Sequence, residues 1–199
     1  MNVLCLDLEG VLVPEIWEVI ADATGIEALQ RTTRDVANYD ELMSHRLKAL
    51  ERHDISYSTI RRAIEKIEPF DGAAAFLENM RSRFQLAILS DTFYDFASPL
   101  MPKLGNPFLL CHRMTILEDR IVGYRLRQED PKTHAVRSLQ SLNLRVIAAG
   151  DSFNDVGMLN QANKGFFFNA PASITERFPM IETVANYTRL TERLSEFSD

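Results

Sequence analysis

The stretch DLEGVLVPE, residues 7–15, decides how the rest of the chain is read. It follows the apolar run Val3-Leu4-Cys5-Leu6, so Asp7 and Glu9 fall at the end of what reads as a buried strand. An isolated D-x-E also suits a solvated strand end. The remaining sequence has to choose between a site and a surface.

Outward from this stretch, short runs recur at Leu86–Leu89, Phe108–Cys111, Arg145–Ala149 and Gly165–Phe168. They are nearly continuous in apolar residues, as parallel strands covered on both faces are. Helical patterns at Gly72–Phe84, Phe93–Leu104, Pro131–Leu142 and Asp155–Ala162 alternate with them. The alternation predicts an α/β fold with a doubly wound, mostly parallel sheet. A hairpin, Met114–Leu117 and Ile121–Leu126 around Glu118-Asp119-Arg120, interrupts it and is placed at a sheet edge. Leu86 follows Leu6 by 80 residues, where a βαβ unit needs about 30. Helix-like patterns at Ile16–Thr24, Asp40–His53 and Ser58–Ile67, framed by Pro14 and by EPFDG (68–72), fill that excess. The expected organisation is a core of residues 1–13 and 71–199 with a small helical cap, 14–70, inserted after the first strand.

The 199 residues, 46% hydrophobic and 25% charged, suit one globular unit with a sizeable core. A net charge of -6 and the lack of a long Lys/Arg tract argue against nucleic acid or an anionic membrane as partner. There is no basic segment before the first apolar residues and no apolar run of the roughly 18 residues that span a bilayer. Cys5 and Cys111 sit in apolar runs and read as buried, reduced thiols. A cytoplasmic protein is expected.

Ligands of open α/β sheets sit beyond the carboxyl ends of the strands. There the chain places Asp7-x-Glu9, then Ser90 in AILSDTF, then Asp151 and Asp155 in VIAAGDSFND, while Lys132 opens a helix in RQEDPKTH. Singly, each has an ordinary reading. Ser90 and Asp91 suit a helix cap, Lys132 a solvated lysine, Asp151 an Asx turn and Asp155 a helix-start acid. Those readings do not explain why all of them fall where one sheet edge gathers them. Asp7, Glu9, Asp151 and Asp155 would raise one another's pKa values unless compensated, and Lys132 supplies one positive charge only. A hard divalent cation such as Mg²⁺, held by carboxylates, waters and a substrate phosphate, is the natural remedy. No Cys/His cluster has the spacing of a soft-metal site.

This order of motifs resembles the haloacid dehalogenase superfamily over nearly the whole chain. The resemblance implies that Asp7 attacks a phosphomonoester and becomes an aspartyl-phosphate. Mg²⁺ would be bound by Asp7, the Glu9 backbone carbonyl, Asp151 and Asp155, and Lys132 and Ser90 would stabilise the transferring phosphoryl group. Glu9 would protonate the leaving alkoxide and later deprotonate the attacking water. Most members carry Asp at that position, so Glu9 reaches one methylene further.

The insertion resembles the small cap of phosphoserine phosphatases, in which a glutamate meets the substrate ammonium and an arginine its carboxylate. Glu15 and, in LMSHRLKALERH, Arg46 match those roles, with Glu15 offset from the family's usual position. Asp91, Thr92 and Asn154 complete the expected substrate contacts. The segments DLEGVLVPE, SDTFYDFASPLM and GDSFND resemble the branch that also passes phosphate from O-phosphoserine to homoserine. Phosphoserine phosphatase chemistry with homoserine transfer as a second activity is therefore expected, with another small phosphomonoester as the alternative substrate. A phospho-receiver is the non-enzyme alternative, but its acids come close together, whereas the second pair here begins only at Asp151. A catalytically silent binding module is opposed by the intact acids, Ser90 and Lys132. The histidines, His45, His53, His112 and His134, lack metal or triad spacing and read as structural or surface residues.

Overall fold

The computed structural model describes residues 1–32 and 38–197, so positions 33–37 of the expected cap and 198–199 of the expected core lie outside it. Strands β1 (Asn2–Leu6), β2 (Gln85–Phe93), β3 (Phe108–Leu117), β4 (Arg120–Arg125), β5 (Arg145–Gly150), β6 (Lys164–Phe168) and β7 (Glu182–Val184) form one sheet in the order β4-β3-β2-β1-β5-β6-β7. Every pairing is parallel except β3 with β4. The mostly parallel sheet is as expected, with the hairpin at its edge.

The apolar runs cover both faces because successive side chains point opposite ways. Leu4 and Leu6 of β1 face one hydrophobic cluster with Ile88, Ile147, Phe166 and Phe168, whereas Val3 and Cys5 face another with Ala87, Leu89, Val146 and Phe167. The first face is covered by α4 (Ala73–Arg81), through Phe76, Leu77 and Met80, and by α9 (Tyr187–Leu194), through Leu190 and Leu194. The second is covered by α6 (Pro131–Ser141), α7 (Val156–Gln161) and Ile174 of the short α8 (Ala172–Thr175).

Between β1 and α4 lie α1 (Ile16–Thr24), α2 (Tyr39–Arg52) and α3 (Tyr57–Ile64). Asn38 and Ser56 cap α2 and α3 by accepting the backbone N–H groups of Glu41 and Thr59. Ile16, Trp17, Ile20, Met43, Leu50, Ile60 and Ile64 join the same apolar cluster as the first face of the sheet. Tyr57 O–H donates to the Asp95 carbonyl, and its N–H to the Asp119 carbonyl. Among the described residues no helix is long and apolar enough to cross a membrane.

Three expectations need correction. Phe93–Leu104 is not one helix: β2 runs on to Phe93, α5 covers Tyr94–Ala97 and a 3-10 turn covers Met101–Leu104. Pro99 and Pro102 have no backbone N–H to donate, so an unbroken helical ladder cannot run through this segment. Phe108–Cys111 and Met114–Leu117 are halves of one strand, which pairs first with β2 and then with β4. The sheet also gains β7, which the sequence reading did not contain.

The ladder between β2 and β3 carries the feature that matters most for the site. Leu89 pairs with Leu110, and the next partners are Phe93 and His112. Ser90, Asp91 and Thr92 thus stand opposite Cys111 alone, in a bulge at the carboxyl end of the sheet. Bulges of this kind re-aim side chains next to functional sites.

Candidate active site

β1 is central, with its onward connection leading to β2 on one side and its other neighbour, β5, reached later in the chain. Its carboxyl end therefore opens into the crevice where doubly wound sheets bind ligands. Asp7 leaves β1 there, its N–H donating to Ala149 O at 3.0 Å and its Oδ1 accepting from Leu8 N–H at 2.7 Å. Asp151 and Asp155 follow β5. Asp155 Oδ2 accepts the N–H groups of Asp151 and Ser152, at 2.9 and 3.0 Å, which folds the GDSFND loop around that carboxylate.

Oxygens of Asp7, Asp151 and Asp155 lie within 4.8 Å of one another, and all three residues are buried. Lys132, from the first turn of α6, reaches into this group. Its Nζ is 2.7 Å from Asp155 Oδ1, 3.0 Å from Asp7 Oδ2 and 3.7 Å from Asp91 Oδ2. Burial would push the lysine pKa down, but Asp155, Asp7 and Asp91 hold it well above its ordinary value. Burial, then Asp155, Asp151 and Asp91, raise the Asp7 carboxyl well above its usual range against the pull of Lys132. The site is short of positive charge.

Glu9 stands apart from the trio. Its Oε1 accepts Ile16 N–H at 2.7 Å, at the start of α1. Burial and Glu15 push its carboxyl up to about 8, against the opposing pull of that N–H, Arg46 and Lys132.

Gly10 shows how closely these segments approach. It has a φ of +77°, and a Cβ there would lie 2.4 Å from Asp151 Oδ2. Gly10→Ala is expected to combine left-handed strain of about 1–2 kcal/mol with displacement of Asp151. A fall in Tm of roughly 4 °C or more, read by circular dichroism, checks this, and an unchanged Tm would contradict it.

A cavity of about 60 Å³ is lined by Asp7, Glu9, Glu15, Arg46, Ser90, Asp91, Thr92 and Asn154, so the expected substrate contacts meet in one place. Arg46 is 6% exposed, lies 4.6 Å from the Trp17 ring centroid and donates from Nη2 to Arg31 O at 2.7 Å. Among the described residues its Nε has no hydrogen-bond partner, and neither does the buried Thr92 Oγ1. Ser90 Oγ accepts Thr92 N–H at 3.2 Å, and Asn154 Nδ2 donates to Asp91 Oδ2 at 2.6 Å.

Trp17, Thr32, Tyr39 and Ser152 line the same cavity but were not singled out in the sequence. Tyr39 O–H donates to the Asp91 carbonyl at 3.0 Å, tying the start of α2 to the β2 bulge. No local motif marks these residues, since an aromatic at a helix start reads as core. His112 takes the structural side of its expected reading: it is 3% exposed, and its Nε2 lies 3.7 Å from Asp91 Oδ1.

A mostly parallel sheet whose adjacent strands β1 and β5 lead into a buried acid trio facing one lysine is a scaffold for chemistry on anionic groups. The chain belongs to the haloacid dehalogenase-like hydrolase family, whose pattern matches residues 1–163. It is 51% identical to the phosphoserine phosphatase ThrH of Pseudomonas aeruginosa, across 96% of this chain and 93% of that one. It is 48% identical to a phosphoserine phosphatase of Pseudomonas syringae pv. tomato, across 100% of this chain and 84% of that one. A crystal structure of a phosphoserine phosphatase in its apo form superposes with a TM-score of 0.80, covering 100% of this chain and 99% of that one. At 18% identity that likeness shows the fold.

Proposed function

We propose that the chain is a magnesium-dependent phosphoserine phosphatase working through phosphorylated Asp7, with homoserine as an alternative phosphoryl acceptor. The carrying observation is the pairing of two recognition chemistries in one cavity. Asp7 forms the floor and ties it to the buried Asp151, Asp155 and Lys132, and Arg46 and Glu15, from the segment between β1 and β2, line the same cavity. The floor suits a phosphate, and an arginine and a glutamate together suit the carboxylate and ammonium of an amino acid. The approximately half-identical relatives named phosphoserine phosphatase support the same reading.

The donor set fits Mg²⁺. It is all oxygen, it is packed within 4.8 Å, and Asp7 is hard to ionise beside its neighbours without further positive charge. Asp7, Asp151, Asp155 and the Glu9 backbone carbonyl would hold the ion, Asp155 chiefly by fixing the loop that its Oδ2 already gathers. When bound, Mg²⁺ supplies the charge that lets Asp7 ionise and a phosphate approach.

Asp7 attacks phosphorus through a carboxylate oxygen, a new P–O bond forms and the bond from phosphorus to the serine oxygen breaks. Glu9, protonated at neutral pH by virtue of its raised pKa, gives its proton to the departing alkoxide. Lys132 and the Ser90 hydroxyl donate to the phosphoryl oxygens as charge builds on them. Water, or the hydroxyl of homoserine, then loses its proton to Glu9 and attacks phosphorus, and the bond to Asp7 breaks. Arg46 and Glu15 hold the amino-acid end, and the helices α1–α3 act as the cap.

Incubation with Mg²⁺ and O-phosphoserine, with and without homoserine, tests this. Inorganic phosphate is expected in both mixtures, with phosphohomoserine forming at its expense in the second. Formation of neither product overturns the substrate assignment. Release of phosphate only from some other small monoester would replace it.

A further inference from the structure

Three carboxylates, Asp155, Asp7 and Asp91, lie within 4 Å of one lysine, and the geometry must keep Asp91 from competing with Asp7 for it. Lys132 Nζ stands 3.7 Å from Asp91 Oδ2 but 3.0 Å from Asp7 Oδ2. Besides Lys132, two side chains face the Asp91 carboxylate, one in a hydrogen bond and one in a longer polar contact. Asn154 Nδ2 donates to its Oδ2 at 2.6 Å, and His112 Nε2 faces its Oδ1 at 3.7 Å.

The tautomer of His112 follows from its other side. Arg127 N–H donates to His112 Nδ1 at 3.0 Å. A backbone N–H can only donate, so Nδ1 carries no proton and Nε2 does. The ring is further fixed by Phe93 and Tyr39, with centroids at 6.1 and 6.2 Å. Burial opposes ionisation of Asp91, yet Lys132, His112 and Asn154 together hold its carboxyl well below the usual range.

We propose that His112 is a positioning residue for phosphoryl transfer: its Nε2–H holds the Asp91 carboxylate back from Lys132, leaving Nζ aimed at Asp7 and the phosphoryl group and Asn154 anchored across the cavity. The proposal rests on the phosphatase reading above. His112 touches neither the substrate space directly nor the acid trio. It acts through Asp91, from the strand position that pairs with Phe93 just past the bulge.

Two near-isosteric variants separate this role from simple packing. His112→Gln keeps a donor near the Nε2 position and gives up the acceptor for Arg127, whereas His112→Asn keeps an acceptor near Nδ1 and gives up the donor to Asp91. With O-phosphoserine and Mg²⁺, H112N is expected to lose about 10- to 100-fold in kcat, with KM within about 3-fold. Its affinity for orthovanadate, which mimics the transferring phosphoryl group, should weaken in parallel. H112Q should stay within about 3-fold of the parent protein in both readouts.

An H112N protein with parental kcat, or an H112Q protein as impaired as H112N, overturns the proposal. If either variant fails to fold by circular dichroism, Asp91→Asn and the double variant D91N/H112F decide. The double variant should be no slower than D91N alone, because both act through one contact; additive losses would refute that. Parent protein that releases no phosphate at all fails the phosphatase reading and this proposal together. An active parent with an unaffected H112N fails this proposal alone.

Discussion

Asp7→Asn is expected to abolish turnover and at the same time to stabilise the metal-free chain. The loss of activity follows from removing the attacking oxygen, and should reach on the order of 10⁴-fold or more. The gain in stability follows from the charge balance around Lys132. Asp7 is buried beside Asp155 and Asp151, and its carboxyl lies well above the ordinary value of 3.8. A carboxyl whose pKa rises on folding favours the folded state while it is protonated. That contribution is intact below its unfolded pKa and is lost as pH rises through the folded value. Asn cannot ionise, so the advantage of D7N in Tm should be absent in acid and grow towards alkaline pH. Phosphate release and Tm between pH 4 and 9, both with the metal-free chain as reference for stability, check the two halves. Undiminished hydrolysis by D7N would remove Asp7 as nucleophile, and a stability gain independent of pH would remove the electrostatic account.

Lys132→Met should move stability the other way. Lys132 is 2% exposed and is the cation that Asp155, Asp7 and Asp91 share. Methionine fills similar space but leaves those carboxylates facing one another in a buried setting. Removing one partner of a buried ion pair typically costs about 3–5 kcal/mol, a large part of the margin by which domains stay folded. The expected results are a matching fall in the urea midpoint of the metal-free chain and loss of phosphate release. An unchanged midpoint would show that the acids are compensated by something other than this lysine. Side by side, D7N and K132M test the same cluster with opposite signs, which a loss of packing alone cannot produce.

The parts of the fold that could be read ahead are those whose signal is local. β1, β5 and β6 are continuous apolar runs because both faces of the central sheet are covered. Asp7 and Asp151, which follow β1 and β5, are legible because a parallel sheet gathers strand ends along one edge, and Ser90 and Lys132 join them from the bulge of β2 and the first turn of α6. Phe93–Leu104 misleads because its aromatic and apolar residues mimic a helix face, while Pro99 and Pro102 sit inside it and the Ser90–Thr92 bulge lengthens the strand before it. β7 is three residues, Glu182–Val184, and its Glu182 is taken up by Lys164 and Arg193, so it lacks an apolar run to announce it. The approach of His112 to Asp91 could not be read, because Asp91 comes from another strand. Tyr39 and Trp17 likewise acquire their places only when the helices between β1 and β2 settle over the sheet.

Three residues of β2 answering to one of β3 also bear on how such a protein can change over generations. Ser90, Asp91 and Thr92 lie outside the regular ladder, which resumes at Phe93 with His112. The ladder therefore constrains these three residues least, and what holds their identity over time is the cavity they line. Selection at this point of β2 acts through the site, while selection on the flanking pairs acts through the sheet.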